Sequence, residues 1–279
     1  MRIYRIESGV LIESEGEFYR VPERNWDAFI NDDDLFANVT EIIRSRPSIG
    51  DRGATLLETE LKPPIVSQEV WASGVTYFNS KLARQEESKD AGGGDFYARV
   101  YTADRPELFF KSAGYRVRGS GETLRIRRDS TWNVPEPELT LFIASSGKIV
   151  AYTIGNDMSS RSIEGENPLY LPQAKTYDGS AAIGPCLYVS DSLLPSETEI
   201  TIEVRRNGEV AFEGSIELGQ MKRTPDELAS WLFRETSFPH GCFLMTGTGI
   251  VPPKEFTLES GDEIPITIAP IGTLVNAIE

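Results

Sequence analysis

The stretch Pro135-Glu136-Pro137-Glu138-Leu139-Thr140-Leu141 predicts a β-strand, and the run from Lys148 to Ile154 predicts the next strand. Ser145-Ser146-Gly147 lies between the two strands and is typical of a turn. If the strands pair around this turn, the chain returns to its starting edge at Gly155-Asn156-Asp157. The sequence therefore predicts an antiparallel pair of strands with acidic residues at one end.

Glu136 and Glu138 are two residues apart, so on a strand both side chains point to the same face. Two neighbouring carboxylates repel each other, and their burial without a partner is costly. A divalent cation removes both costs, and Asp157 can return close enough to act as a third ligand. Three carboxylates suit a hard ion such as Mg²⁺, with Mn²⁺ or Ca²⁺ as alternatives. A solvated face without a metal ion is the alternative interpretation of Glu-x-Glu.

Short segments bounded by Gly, Asn, Asp or Pro predict further strands on both sides of this pair. These predicted strands cover residues 3–7, 10–13, 18–21, 108–111, 123–127, 186–189, 199–205, 209–215, 243–246 and 264–268. Only two helices are predicted, near 34–46 and at 224–235. Asn207-Gly208 predicts a type I′ hairpin turn. The fold class expected from this pattern is α+β, mostly β with few helices.

Lys62-Pro63-Pro64 is typical of an extended connector. We therefore expect a small N-terminal α+β domain at residues 1–64 and a larger, catalytic β domain at residues 65–279. Gly92-Gly93-Gly94 does not follow a predicted strand, so we interpret it as a loop rather than a phosphate-binding motif.

Composition and charge exclude several classes of protein. The chain has 279 residues, of which 39% are hydrophobic and 25% charged, so a disordered or coiled-coil protein is excluded. Its formal net charge of −15 disfavours a nucleic-acid partner. There is no apolar run long enough to span a membrane and no signal-peptide pattern at the N-terminus. Two distant cysteines do not form a disulfide framework, so we expect a cytoplasmic protein.

One ordered set of motifs resembles the fumarylacetoacetate hydrolase family. It comprises Glu136-x-Glu138, Gly155–Arg161, Lys175–Asp178, Ile183-Gly184-Pro185 and Met245–Gly249. The resemblance covers roughly residues 65–275 and implies a mixed β-roll catalytic domain and a homo-oligomer. It assigns Glu136, Glu138 and Asp157 as metal ligands, Lys175 as the lysine beside the metal and Thr248 as a substrate carboxylate contact.

The sequence departs from the hydrolases of this family in the lid segment. Those hydrolases usually carry a His and a Glu there to activate water, whereas the stretch 76–87 contains no His. The chain's one histidine, His240, lies far along the sequence and is expected to be structural or exposed. Because an imidazole is the usual base near neutral pH, carbon–carbon hydrolysis is disfavoured.

Two further segments resemble the dehydratase branch of the family, which acts on 2-keto-3-deoxy sugar acids. They are Arg105–Lys111 and Glu166–Lys175. The resemblance implies a Mg²⁺-dependent lyase that converts 2-dehydro-3-deoxy-D-arabinonate to 2,5-dioxopentanoate. It implies Glu107 and Lys175 as the catalytic pair. The residues expected to bind substrate are Lys111, Thr248, Thr76 and Tyr77.

The expected chemistry uses a metal ion that polarises the ketone of a 2-oxo acid and stabilises an enolate after a C3 proton leaves. Lys175 is the base if its pKa is depressed, and Glu107 is the alternative base. Two other functions remain open. One is an acylpyruvate hydrolase of the fumarylpyruvate type, with Glu86 or Glu87 activating water. The other is a non-catalytic β domain with a structural cation.

Overall fold

The computed structural model describes residues 1–87 and 94–279, and β-strands dominate it. The strands in the described part of the chain are β1 (Arg2–Ile6), β2 (Gly9–Ser14), β3 (Glu17–Val21), β4 (Glu69–Gly74), β5 (Glu107–Ala113), β6 (Thr123–Leu124), β7 (Asn133–Val134), β8 (Pro137–Ile143), β9 (Ile149–Asp157), β10 (Ser159–Ser160), β11 (Ala181–Tyr188), β12 (Glu199–Arg206), β13 (Glu209–Glu217), β14 (Cys242–Met245), β15 (Glu263–Ile268) and β16 (Gly272–Ile278).

Short helices connect these strands. The α-helices in the described residues are α1 (Trp26–Ile30), α2 (Leu35–Ser45), α3 (Arg52–Glu60), α4 (Phe78–Glu87), α5 (Gly94–Thr102), α6 (Arg161–Glu166), α7 (Leu171–Lys175) and α8 (Pro225–Leu232). None of these helices is both long and apolar enough to cross a membrane.

Two sheets form the body of the protein. A nine-stranded sheet has the order β3-β2-β1-β11-β9-β8-β14-β4-β5, and a five-stranded sheet has the order β13-β12-β15-β16-β6. One apolar cluster joins β8 to β12 and β15 and therefore lies between the sheets. A second cluster covers the opposite face of the larger sheet with residues of α1 and α2. The architecture confirms the predicted sheet-dominated α+β class.

The predicted pairing of the acidic strands is confirmed. β8 and β9 are antiparallel neighbours, with Glu138 opposite Gly155. A Cβ atom at Gly155 would lie 2.3 Å from Oγ1 of Thr140, so only glycine fits where the two strands approach. The metal-ligand candidates are thus carried by two central strands of a sheet that is buried on both faces.

The N-terminal segment contributes directly to the larger sheet. β1 pairs with β11, so the first three strands extend the sheet that contains β8 and β9. The division of the chain into domains at residue 64 stays a prediction. Asn207 and Gly208 have φ values of 54° and 83°, which agrees with the predicted type I′ turn.

Several elements were not expected. Both predicted helices are present, as α2 and α8, but the other six α-helices of the described residues were not predicted. The strands β4 and β16 were missed, and the predicted strand at 123–127 is limited to Thr123–Leu124. Of the glycines interpreted as a loop, Gly92 and Gly93 lie outside the described residues, and Gly94 begins α5.

Candidate metal centre and active site

Three buried carboxylates converge where β8 and β9 meet. Glu136 precedes β8, Glu138 lies on β8 and Asp157 ends β9. The backbone N–H of Asp157 donates to the carbonyl oxygen of Glu136 at 3.0 Å, which fixes these two residues side by side. One carboxylate oxygen from each of the three residues lies within 4.8 Å of the others. The sequence prediction that these side chains meet is therefore confirmed.

The donor set fits a hard divalent cation. Carboxylate oxygens are the ligands that Mg²⁺ and Ca²⁺ prefer. Burial raises the pKa of Glu138 well above its usual value, and the charges of Asp157 and Glu136 raise it further. A positive charge near Glu138 would therefore stabilise its ionised carboxylate. That carboxylate accepts a hydrogen bond from the backbone N–H of Gly247.

Glu136 has a different environment, although it is equally buried. Lys175 Nζ lies 2.8 Å from its Oε2, and Arg161 Nη2 lies 2.9 Å from its Oε1. Burial alone would raise the pKa of Glu136, but the charges of Lys175 and Arg161 outweigh burial and lower it. Arg161 is therefore a buried ion-pair partner of the acidic cluster.

Lys175 lies at the end of α7 with its ammonium group between two of the carboxylates. It donates hydrogen bonds to Oε2 of Glu136 at 2.8 Å and to Oδ2 of Asp157 at 2.9 Å. Burial alone would lower its pKa, but the charges of Asp157 and Glu136 outweigh burial and raise it. The ring centroid of Phe109 lies 5.8 Å from the same ammonium group. The predicted proximity of Lys175 to the metal-binding carboxylates is thus present.

Lys111 contacts the carboxylate cluster through Asp157. Its fully buried ammonium lies 2.6 Å from Oδ1 of Asp157 and donates to the carbonyl oxygen of Met158 at 2.9 Å. Burial lowers the pKa of Lys111, and the charge of Asp157 opposes this effect. Lys111 does not line the cavity described below. Its contact with Asp157 instead holds that side chain in place.

Glu107 lies at the start of β5, opposite Gly74 of β4. A Cβ atom at Gly74 would lie 2.2 Å from Oε2 of Glu107, so the carboxylate occupies the space that a side chain at position 74 would fill. Burial raises the pKa of Glu107, and the charge of Arg84 partly opposes this effect. The missing side chain at Gly74, which lines the cavity described below, therefore leaves room for the Glu107 carboxylate directly beside it.

A small cavity joins these groups. Its wall is formed by Ser73, Gly74, Val75, Ser80, Arg84, Phe109, Glu136, Asp157, Arg161, Lys175, Gly247 and Thr248. The cavity offers ≈ 10 Å³ to the centre of a water-sized sphere. That is room for about one water molecule, so the described conformation is closed.

The residues expected to bind substrate are distributed unevenly around this cavity. Thr248 lines it. Thr76 lies in a buried position and donates from Oγ1 to the carbonyl oxygen of Thr246 at 2.7 Å. Tyr77 is also buried, and its hydroxyl has no hydrogen-bond partner among the residues that the structure describes. The substrate-binding assignments of Thr76, Tyr77 and Lys111 stay predictions.

Two charged residues of the site were missed in the sequence. Arg84, on α4, forms ion pairs with Glu164 of α6 and, at 3.5 Å, with Glu136. Neither residue was assigned a role from the sequence, because neither belongs to a motif that made it recognisable. His240 is exposed, as expected.

Comparison with known proteins identifies close relatives of this chain. The family model for the C-terminal part of fumarylacetoacetate (FAA) hydrolase matches residues 70–279. A probable 2-keto-3-deoxyxylonate dehydratase of Haloferax volcanii is 46% identical over 229 residues, which are 82% of this chain and 75% of that protein. The 2-dehydro-3-deoxy-D-arabinonate dehydratase of Saccharolobus solfataricus is 42% identical over 227 residues, or 80% of this chain and 75% of that protein.

A solved structure shows the same similarity over the whole chain. It is a 2-keto-3-deoxy-D-arabinonate dehydratase complexed with magnesium and 2,5-dioxopentanoate, and it is 35% identical to this chain. The superposition has a TM-score of 0.84 and covers 100% of this chain and 99% of the other. The similarity includes the strands that carry the three buried carboxylates.

The substitution Glu138→Gln tests the metal centre. Mg²⁺ is expected to raise the melting temperature of the unaltered protein, because a ligand that binds the folded state stabilises it. In Glu138→Gln the apparent Kd for Mg²⁺ should rise at least about 100-fold, since one charged ligand is lost. Melting curves recorded with increasing MgCl₂ measure this effect.

Glu166→Gln is the matched control, because Glu166 is exposed and lies outside the carboxylate cluster. Its response to MgCl₂ should equal that of the unaltered protein. Equal Mg²⁺ affinity in Glu138→Gln would show that the three carboxylates do not form the metal site.

Proposed function

Since this chain belongs to the fumarylacetoacetate hydrolase family, we propose that it is a Mg²⁺-dependent dehydratase of 2-keto-3-deoxy sugar acids. The proposed reaction removes water from 2-dehydro-3-deoxy-D-arabinonate and gives 2,5-dioxopentanoate. The relatives that are 46% and 42% identical carry dehydratase names, and the solved relative holds magnesium together with that product. The enzyme is accordingly a carbon–oxygen lyase.

One observation in this chain carries the proposal. The carboxylates of Glu136, Glu138 and Asp157 meet in a buried cluster, and the ammonium group of Lys175 lies within 2.9 Å of two of them. A purely structural cation has no need of a buried amine beside it, or of a further carboxylate, that of Glu107, next to the cavity-lining residue Gly74. This combination supports acid–base chemistry next to a metal ion.

The charges of the site also fit the proposed reactants. Five carboxylates of the described residues meet four cationic side chains there. The carboxylates are those of Glu107, Glu136, Glu138, Asp157 and Glu164, and the cations are Arg84, Lys111, Arg161 and Lys175. With every group ionised, one negative charge is in excess. A divalent cation together with a substrate that carries one carboxylate brings the sum to zero, which a low-dielectric site requires.

The names of the two dehydratase relatives refer to the same substrate for D sugars. An oxo group at C2 and the absence of a hydroxyl at C3 remove the stereocentres at both carbons. For the D sugars, arabinonate and xylonate derivatives of this kind therefore share the single stereocentre at C4 and are the same compound. We accordingly infer a five-carbon substrate for this chain from the names of both relatives.

The proposed mechanism combines a metal ion with two side chains that transfer protons. Bound Mg²⁺ supplies a Lewis acid for the 2-oxo group. A proton leaves C3, and the C4 hydroxyl leaves as water after it receives a proton. Proton shifts between C5, C3 and C4 then convert the C5 alcohol into the aldehyde. Glu107 and Lys175 are the groups placed to take and return these protons.

Other residues of the site hold the reacting groups in place. We assign Lys111 and Arg161 to positioning, because they fix Asp157 and Glu136 through buried ion pairs. Thr248 lies in the cavity wall, where its hydroxyl can contact the substrate carboxylate. Positioning of this kind contributes to the rate because the reactants are held close to the reacting geometry.

The alternative reaction, hydrolysis of an acylpyruvate, has less support. It would need a group on α4 that activates water. Glu86 was considered for this role, but its carboxylate is 55% exposed and lies 2.9 Å from Lys254 on the outer face of the helix. His240 is exposed in a loop between α8 and β14.

We also propose a homo-oligomer that works in the cytoplasm. Both cysteines are buried and unpaired, which is compatible with a reducing compartment. Large apolar side chains such as Tyr115 and Leu169 are 76% and 83% exposed, and a subunit interface would cover them. A solution mass of 31.0 kDa by light scattering would contradict the oligomer. The proposed division into residues 1–64 and 65–279 places the whole site in the second unit.

The proposed reaction is tested by direct product identification. The protein is incubated with MgCl₂ and 2-keto-3-deoxy-D-arabinonate, and in parallel with fumarylpyruvate. We expect 2,5-dioxopentanoate from the first substrate and no change in the second, by NMR and mass spectrometry. A chelator should abolish the reaction and added Mg²⁺ should restore it. Cleavage of fumarylpyruvate without dehydration of the sugar acid would establish the hydrolase instead.

The substitution Gly74→Ala tests the role of Glu107 without altering its carboxylate. The new methyl group would occupy the position of Oε2 and displace the flexible end of the side chain. We expect kcat to fall about 100-fold, since a shift of about 1 Å in a catalytic group has this effect. Steady-state assays at saturating MgCl₂ measure the change.

Two comparisons control this experiment. The melting temperature of Gly74→Ala and its response to MgCl₂ should stay close to those of the unaltered protein, because the metal ligands lie on other strands. Glu107→Gln should lose at least as much activity as Gly74→Ala. Full activity in both variants would exclude Glu107 from the chemistry.

A further inference from the structure

Helix α4 forms one wall of the cavity with a polar inner face. Its buried side chains are Ser80 and Arg84, which are four residues apart and therefore lie on one face of the helix. Phe78 and Leu82 are 51% and 49% exposed. No described residue of α4 belongs to either apolar cluster of the protein. Apolar burial therefore contributes little to the position of this helix.

An ion pair takes the place of apolar packing. The guanidinium of Arg84 contacts Oε2 of Glu164, and both side chains are more than nine-tenths buried. Glu164 is fixed in turn, since Oγ of Ser159 donates to it at 3.0 Å. Both partners of Glu164 are polar, and Ser159 follows the metal-ligand candidate Asp157 by two residues. The pair thus joins α4 to the segment that carries the metal-binding carboxylate.

Other contacts also hold helices α4 and α5 in place. Arg223 donates to the carbonyl oxygens of Val100 and Ala103 and so fixes the C-terminal end of α5. The other ion pair of α4, between Glu86 and Lys254, is more than half exposed on both sides. Exposed pairs of this kind contribute little to stability. Asn79 of α4 also donates from Nδ2 to the carbonyl oxygen of Gly249 at 3.3 Å. Arg84 adds to this hydrogen bond a charged contact that is buried on both sides.

The cavity is smaller than the proposed substrate, so part of its wall must move before the substrate can bind, and α4 is part of that wall. The cavity has room for about one water molecule, and a five-carbon oxo acid is several times larger. We propose that the buried Arg84–Glu164 ion pair is the latch that closes α4 over the active site and opens to admit the substrate. Both residues are positioning residues. The inference rests on the proposed function only for the identity of the substrate.

Amide hydrogen exchange of α4, followed by mass spectrometry in MgCl₂, tests the latch. Arg84→Gln and Glu164→Gln should each increase the exchange rate of residues 78–87 about tenfold, because local opening becomes easier. The double variant should exchange no faster than either single variant, since both substitutions remove the same contact. Exchange in the core strands β8 and β14 should not change. Arg84→Lys should restore part of the protection.

Glu86→Gln is the matched control on the same helix, because it alters an ion pair that is more than half exposed, and its exchange should equal that of the unaltered protein. Unchanged exchange of α4 in both Arg84→Gln and Glu164→Gln would overturn the latch. Faster exchange throughout the protein would also overturn it, since the pair would then stabilise the whole fold. If the unaltered protein dehydrates no sugar acid, the proposed function fails, but the exchange experiment still decides the latch.

Turnover gives a second, independent readout. In Arg84→Gln we expect a lower kcat on the sugar acid while Mg²⁺ affinity is retained in the melting assay, because all three carboxylates remain and Glu136 keeps its contacts with Lys175 and Arg161. Recovery of kcat in Arg84→Lys, in parallel with the exchange protection, would support the latch. Loss of Mg²⁺ affinity in Arg84→Gln equal to that in Glu138→Gln would place Arg84 in the metal site and contradict it.

Discussion

The burial of like charges next to one another is the constraint on which this structure depends. Glu136, Glu138 and Asp157 are almost completely inaccessible to solvent and lie within one small volume. Such a cluster is unfavourable unless positive charge is close to it. The protein supplies part of this charge from Lys111, Lys175 and Arg161, each on a different element of the chain. These three cations offset the buried carboxylates only in part, as the raised pKa of Glu138 shows.

The compensation is uneven, and this unevenness has chemical meaning. Cations surround Glu136 and lower its pKa, whereas burial and the charges of Asp157 and Glu136 raise the pKa of Glu138, and the charge of Lys175 offsets this only in part. The electrostatic potential therefore differs between Glu136 and Glu138. Negative charge is least compensated at Glu138, where a divalent cation would offset it most.

Local patterns in the sequence were sufficient to predict the strands and the metal cluster. The spacing of Glu136 and Glu138 and the turn before Asp157's strand are short-range features, and the structure brought these residues together as expected. The type I′ turn at Asn207-Gly208 was predictable for the same reason. Assignment of Lys175 needed the resemblance to a family, because 18 residues separate it from Asp157 in the chain.

Helix α4 could not be predicted from the sequence, for a physical reason. Helix prediction relies on an apolar stripe that repeats with the helical period. The inner face of α4 is formed by Ser80 and Arg84, and its apolar side chains face outward. The partner that makes this face favourable, Glu164, is 80 residues away in the sequence. Strand β4 was missed because Ser73 and Gly74 have low strand propensity, and its position in the sheet depends on pairing with β14 and β5.

All three metal-binding carboxylates come from a single hairpin, and this has a consequence for how the chain reaches its native state. The ligands lie within residues 136–157, so the loop that must close to bring them together is short. Short loops lose little chain entropy on closure and form early, whereas the contacts of β1 with β11 and of β4 with β14 join distant parts of the sequence. A cation that binds the hairpin before those distant strands assemble would act as a nucleus for the central sheet. The same ion would then serve first in assembly of the protein and afterwards in its chemistry.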